Sequence, residues 1–262
     1  MSVKRATGDV SVTVGTDLVA TVEICRGPNN FFDLALIDAL AGAFETLDGD
    51  PACRAIVLCS EGKHFCAGAD FAGRDRGAID GGGGGRHLYD AAVRLFETRT
   101  PVVAAVQGAA IGGGLGLALT PDFRVAAPEA RFAANFARLG FHHGFGLSVT
   151  LPALVGQQHA LELLYTGRRI AADEALAIGL VDEVAPLERL RERARARAVE
   201  IALSAPLAVR SIRETMRGEL PARIRAATAR ERAEQERLQR TTDFKEGIAA
   251  SAERRTPRFT GS

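Results

Sequence analysis

Residues 101–122 read PVVAAVQGAAIGGGLGLALTPD. Val102 to Val106 is a short, wholly apolar run of the kind that forms a strand buried on both faces. A small-residue turn follows, and beyond it the apolar residues take up helical spacing. Gly112-Gly113-Gly114 is the join between them. Glycines let the backbone bend sharply and leave its N–H groups bare, and a helix start adds partial positive charge beside them. A second stretch, His64-Phe65-Cys66-Ala67-Gly68-Ala69-Asp70, has the same small-residue build and follows another apolar strand, Ala55 to Cys59. Two such turns can each contribute one amide to an oxyanion hole, where one donor is worth about 2.7–4 kcal/mol to a transition state.

A chain of 262 residues with 47% hydrophobic content supports one sizeable α/β core with a helical appendage. The 33 basic residues are matched by 32 acidic ones, so no global field draws the chain to nucleic acid or an anionic membrane. Cysteines 25, 53, 59 and 66 lack metal-ligand spacing. With neither a signal-like apolar segment nor a run of about 18 apolar residues, the expectation is a reduced, metal-free, cytoplasmic protein.

In chain order, Val10–Val14 and Leu18–Ile24 alternate apolar and polar residues around Gly15-Thr-Asp17, a hairpin pattern. Asp33 is placed to cap a helix carrying Leu34, Ile37, Leu40, Ala41, Phe44 and Leu47 on one face. Strand–helix–strand order then favours a parallel sheet. Gly81–Gly85 lies in a polar stretch with no Lys-Ser or Lys-Thr after it, so it reads as a mobile loop and not as a phosphate cradle. Phe123–Ala126 reads as a strand and 135–147 as an aromatic, His-bearing loop. Short helices are expected over Ser148–Val155, Gln157–Leu164 and Ala172–Ile178. Four more cover Leu187–Leu203, Leu207–Arg217, Ala222–Arg240 and Phe244–Arg254, with Arg and Glu at i,i+4 spacing on solvated faces. The division expected is a core over 1–200 and a helical region over 201–262.

FCAGAD at 65–70, PVVAAV-x-G-x-A-I-G-G-G at 101–114, Asp122, YTGRRI-x-A-x-EAL-x-x-GLVD at 165–182 and a basic tail together resemble the crotonase superfamily, the enoyl-CoA hydratase/isomerase group. The resemblance spans nearly the whole chain. It implies an α/β fold with a repeated ββα spiral core and a C-terminal helical region. It also implies an acyl-CoA substrate, with coenzyme A entering as part of that substrate and no separate cofactor. By position in the motifs, the amides of Ala69 and Gly113 would form the oxyanion hole. Gly116, Phe136, Leu139 and Phe141 would line the acyl pocket, and Arg26, Ala67, Arg258 and Phe259 are candidates for binding CoA. Relatives assemble as trimers or dimers of trimers, so a homotrimer or homohexamer is expected, with neither nucleic acid nor membrane as partner.

Hydratases of this family use two glutamates, and here those positions carry Gly116 and Phe136. Loss of such an acid/base pair costs about 10² to 10⁴ per group. The remaining candidates are His142 and His143, on the loop expected to line the acyl pocket, and Asp70 beside the oxyanion amide. Each has a structural alternative: the histidines as backbone-bonded loop residues, Asp70 as the residue that orders its turn. His64 is expected to order its own turn, and Cys66 to be a small buried residue and not a nucleophile. No G-x-S-x-G elbow or dinucleotide fingerprint is present. Three functions remain open: an enzyme that hydrates or isomerises an enoyl-CoA through a thioester enolate, an isomerase or carbon–carbon lyase using a loop histidine, and an acyl-CoA-binding protein without catalysis.

Overall fold

Alternating apolar and polar residues make the N-terminal segment an antiparallel meander of β1 (Val3–Thr7), β2 (Val10–Val14) and β3 (Val19–Ile24). The structure, a computed structural model, describes residues 3–70 and 87–262, with residues 3–7 described by backbone alone. The glycine-rich stretch Gly81–Gly85, expected to be a mobile loop, lies outside the described residues. Asp33 caps α1 (Leu34–Asp48), its carboxylate accepting from the Leu36 amide at 2.9 Å and satisfying a donor the first turn leaves open. β4 (Ala55–Ser60) is buried throughout. α2 (Leu88–Glu97) starts with a reciprocal cap in which Tyr89 N donates to His87 Nδ1 and His87 N donates to Asp90, both at 3.1 Å. β5 (Val102–Val106), β6 (Ala109–Ile111), α3 (Gly113–Ala118), β7 (Phe123–Ala126) and β8 (Arg131–Ala133) follow. Next come α4 (Leu147–Thr166), β9 (Ile170–Ala171), α5 (Ala172–Ala177) and β10 (Glu183–Val184), and the chain ends in α6 (Leu190–Ala202), α7 (Pro206–Arg217), α8 (Leu220–Leu238) and α9 (Thr242–Glu253).

The main sheet has the order β1-β2-β3-β4-β5-β7-β10, parallel from β3 onward. Its central strands show no polar alternation because both faces are covered. Ile56, Leu58, Val102, Ala104 and Val106 pack on the α1 side, while Ala55, Val57, Cys59, Val103 and Ala105 meet Leu190, Ala194 and Ala198 of α6 on the other. The boundary expected at residue 200 therefore falls inside a helix that belongs to the sheet's packing.

Two sequence expectations change. Residues 109–111, read as part of a turn, form β6, which pairs parallel to β8 in a second sheet with β9. Ala-Ala-Ile is too short a run, between Gly108 and Gly112, to carry a strand signal of its own, and the pairing comes from β8. The two short helices expected over 148–164 form one segment, α4, interrupted where Gly156 leaves helical geometry at φ 76°, ψ 163°. No helix among the described residues is long and apolar enough to cross a membrane.

Helix α7 is inside out. Its Arg210, Arg213 and Arg217 reach the body of the protein, while Leu207, Ile212 and Met216 are 79, 63 and 78% exposed. Asp122 is the anchor: its carboxylate accepts from Val102 N at the start of β5 (2.8 Å), from Arg213 Nε (3.1 Å) and from Arg217 Nη1. Burial alone would raise the Asp122 pKa, but Arg217 and Arg213 outweigh it and hold the group below the usual carboxylate range. Removing one partner of such a buried cluster strands the others, at a cost of about 3–5 kcal/mol. Asp122→Ala should lower stability by about that much in urea denaturation, whereas Arg189→Ala, at an exposed pair, should leave the denaturation midpoint nearly unchanged.

Candidate functional site

Two glycine turns are clamped together by the backbone. Cys66 N donates to Ala109 O (2.9 Å) and Ile111 N to Cys66 O (3.1 Å), so the 65–68 segment runs alongside β6. Gly68 adopts φ 96°, and a Cβ there would lie 2.8 Å from Ile111 O. Gly112, at φ 57° and ψ −122°, turns the chain into α3. Ala69 and Gly113 consequently leave neighbouring turns at the C-terminal ends of adjacent parallel strands. Both line one cleft of about 820 Å³, and among the described residues no backbone hydrogen bond uses either N–H.

The clamp is braced from below. Asn30, fully buried, donates through Nδ2 to Glu61 O (2.9 Å) and His64 O (2.6 Å). Ala109 N donates to His64 Nδ1 (3.0 Å), which gives His64 the turn-ordering part expected of it. Burial, then Lys63, lowers the His64 pKa. The Cys66 thiol is sealed in, and burial pushes it up to about 12, so it carries no thiolate at neutral pH.

Beyond the amides the cleft is aromatic. Phe32 touches the Gly113 turn so closely that a Cβ on Gly113 would lie 2.2 Å from Phe32 Cζ. Phe32 meets Phe145 edge-on at 5.7 Å, Phe136 meets Phe141 at 5.4 Å, and Phe141 meets Phe244 of α9 at 5.4 Å. Of the expected acyl-pocket residues, Phe136, Leu139 and Phe141 line the cleft. Gly116 is absent from the cleft wall, because Phe145 covers it: a Cβ there would lie 2.5 Å from Phe145 Cβ. Phe145 holds φ 63°, a strained value for a side-chain-bearing residue, and is 1% exposed.

The histidine pair sits elsewhere. Phe141 and Phe145 line the cleft, but neither His142 nor His143 does. His142 Nδ1 lies 2.7 Å from His143 O, the two rings stack at 4.1 Å, and His143 Nε2 is 2.8 Å from Ser148 Oγ. Their loop is tied to α8. Buried Glu231 accepts from Gly146 N (2.8 Å), Ser148 N (3.0 Å) and Ser148 Oγ (2.7 Å), closing the start of α4. Asp70 lines the cleft next to Ala69.

Among the candidates for CoA, Ala67 lines the cleft and donates its N–H to Asn29 O. Arg26 does not line it: the side chain pairs with Asp9 (2.7 Å) and Asp33 (2.8 Å) and fixes the entry to α1. Arg258 and Phe259 are also outside, where the tail folds against α9 through Arg258 N to Glu246 Oε1. Among the described residues, Lys63, Arg131 and Arg169 are the lysine and arginines that do reach the cleft. The sequence offered no pointer to Phe32, Tyr89 or Gln235, which come from separate elements, although Asn135 and Phe145 stood in the aromatic loop.

The enoyl-CoA hydratase/isomerase family model matches residues 16–262. A Thermus thermophilus protein provisionally assigned as an enoyl-CoA hydratase is 38% identical over 84% of this chain and 88% of its own. The carnitinyl-CoA dehydratase of Salmonella typhi is 33% identical over 93% and 95%. Among solved structures, an enoyl-CoA hydratase/isomerase from Pseudoalteromonas atlantica superposes with a TM-score of 0.86 at 31% identity, covering 96% of this chain and all of that one.

Two outcomes follow from the geometry. Gly116→Ala should destabilise by about 1–3 kcal/mol, since Phe145 has no room to retreat, and a glutamate at 116 should fold only when Phe145 is also reduced to glycine; thermal unfolding checks both. Burial, with a smaller part from His142, lowers His143 to about 4. Above about pH 6.5 the ring is neutral folded and unfolded; from there down to about 4 only the unfolded chain takes up the proton, so stability falls as pH falls through this window. Urea titrations at pH 7.5 and 4.5 should show a smaller drop for His143→Gln than for the parent.

Proposed function

This chain belongs to the enoyl-CoA hydratase/isomerase family, and from that premise we propose that it binds an acyl-CoA thioester and stabilises its enolate with the amides of Ala69 and Gly113. The observation that carries this reading is the clamp that brings both glycine turns, with amides uncommitted among the described residues, to one cleft. When a base takes the α-proton, the electron pair moves towards the carbonyl and charge develops on oxygen. Two fixed amides stabilise that charge without reorganising. Asp70, next in the chain to Ala69 and facing the same cleft, is our candidate for that proton transfer. The reaction class is proton transfer at the α-carbon, as in double-bond isomerisation. Hydration by a glutamate pair is disfavoured, because Gly116 and Phe136 leave aromatic surface where the carboxylates would act.

A second reading, acyl-CoA binding without turnover, is favoured by one observation: Phe145 seals the space beside Gly116. Exchange of the α-protons of butanoyl-CoA in heavy water separates the two. Measurable exchange that falls about 10²-fold or more in both Gly113→Pro and Asp70→Asn supports the enzyme; tight binding with no exchange and no turnover of any enoyl-CoA supports the binding protein. Crotonyl-CoA hydration should lie at least about 10²-fold below that of a glutamate-bearing relative. The His142→Ala/His143→Ala variant should keep the parent's exchange rate, since neither ring reaches the cleft.

Assembly as a trimer or hexamer is part of the same proposal. The outward apolar face of α7, with Leu203 79% exposed beside it, is a surface that another copy would cover. Light scattering at micromolar concentration should give a mass of three or six chains, and a monomer would refute it.

A further inference from the structure

A polar pair interrupts the aromatic wall of the cleft. Tyr89, on α2, and Gln235, on α8, both line the cleft and are each 8% exposed. The Tyr89 hydroxyl donates to Gln235 Oε1 at 2.8 Å, and Gln235 Nε2 donates to His142 O at 2.9 Å. The seat for this pair is made by Gly144, where a Cβ would lie 1.7 Å from Tyr89 Oη and 2.6 Å from Gln235 Nε2. Any other residue at 144 would displace them.

Contacts place the pair away from the oxyanion turn. Gly113 touches Phe32, Phe32 touches Phe145, and Phe145 is joined to Gly144, which abuts Tyr89 and Gln235. A thioester carbonyl held at Gly113 would thus extend its acyl group past two phenyl rings before meeting a phenol and a primary amide. Gln235 Nε2 carries two N–H groups, and one bond to His142 O uses one of them. A purely hydrocarbon tail would press against these polar atoms and exclude water from them, which lowers affinity.

We infer that the distal part of the cleft selects acyl groups bearing a hydroxyl or carbonyl oxygen beyond the reacting carbons, recognised by Gln235 and Tyr89. This rests on the acyl-CoA reading above and names the substrate class for it. An oxygen there accepts from the Gln235 amide, and a hydroxyl also has a proton to give to the phenol or amide oxygen. The aromatic rings between the two ends fit a flat or extended spacer.

The test compares affinities of matched saturated thioesters, which bind without double-bond chemistry, by calorimetry on the full chain. The pairs are hexanoyl- and 6-hydroxyhexanoyl-CoA, octanoyl- and 8-hydroxyoctanoyl-CoA, and 3-phenylpropanoyl- and 3-(4-hydroxyphenyl)propanoyl-CoA. At least one hydroxylated member should bind about tenfold tighter than its hydrocarbon partner, and Tyr89→Phe and Gln235→Leu should each bring that ratio towards one. A merely structural link between α2 and α8 would weaken both members alike and leave the ratio unchanged. If Gln235→Leu fails to fold, Tyr89→Phe carries the comparison alone. No preference in any pair, or a preference that survives in the folded variants, overturns the inference while leaving the acyl-CoA reading intact. Failure of every thioester to bind overturns the acyl-CoA reading itself, and this inference with it.

Discussion

Everything at the site depends on two backbone hydrogen bonds, Cys66 N to Ala109 O and Ile111 N to Cys66 O. They bind the segment after β4 to β6, which follows β5, and only because β4 and β5 are parallel neighbours do both glycine turns arrive at the same end of the sheet. The residues between are small because nothing larger fits, as the close approaches of Gly68 to Ile111 and Gly113 to Phe32 demonstrate. A side chain could supply a donor, but it would move. A backbone amide in a clamped turn is held by the covalent chain, and this rigidity is what electrostatic stabilisation requires.

The same economy of space governs the wall around Gly116. Gly116 does not border empty space. Phe145 lies on it, strained to a positive φ, buttressed by Phe32 and held by a loop whose neighbours Gly146 and Ser148 donate to buried Glu231. The wall is therefore packed throughout, and the buried Glu231 carboxylate holds the loop that carries Phe145. A larger residue at 116 needs the loop to move as well.

The C-terminal helices are part of the site and not an appendage to it. α8 supplies Glu231 and Gln235, and α9 supplies Phe244 behind Phe141 and Ile248 on the cleft. α7 spends its arginines on Asp122 and turns its leucine, isoleucine and methionine outward. Asp122 thereby connects the end of the glycine-led helix, the start of β5 and the helical region in one buried cluster, at the opposite end of β5 from the glycine turns.

Local residue pattern was enough for the strands 10–14, 19–24, 55–60, 102–106 and 123–126, for α1 and its Asp33 cap, and for the glycine turns, because each is encoded by neighbours a few positions apart. The family, too, is written in contiguous motifs. The sequence alone also located the residues facing the cleft at 69, 70, 113, 136, 139 and 141. It did not say where the histidines turn. His142 and His143 follow a cleft-facing phenylalanine by one and two residues, and only the pull of Ser148, Glu231 and Gln235 sets their ring and backbone partners on the α8 side. Nor did it reveal β6, whose three residues between two glycines become a strand only when β8 pairs with them. Tyr89 and Gln235 stand 146 positions apart and meet because α2 packs on α8. Contacts of that separation are fixed by shape and burial across the whole chain, and no local pattern of residues carries them.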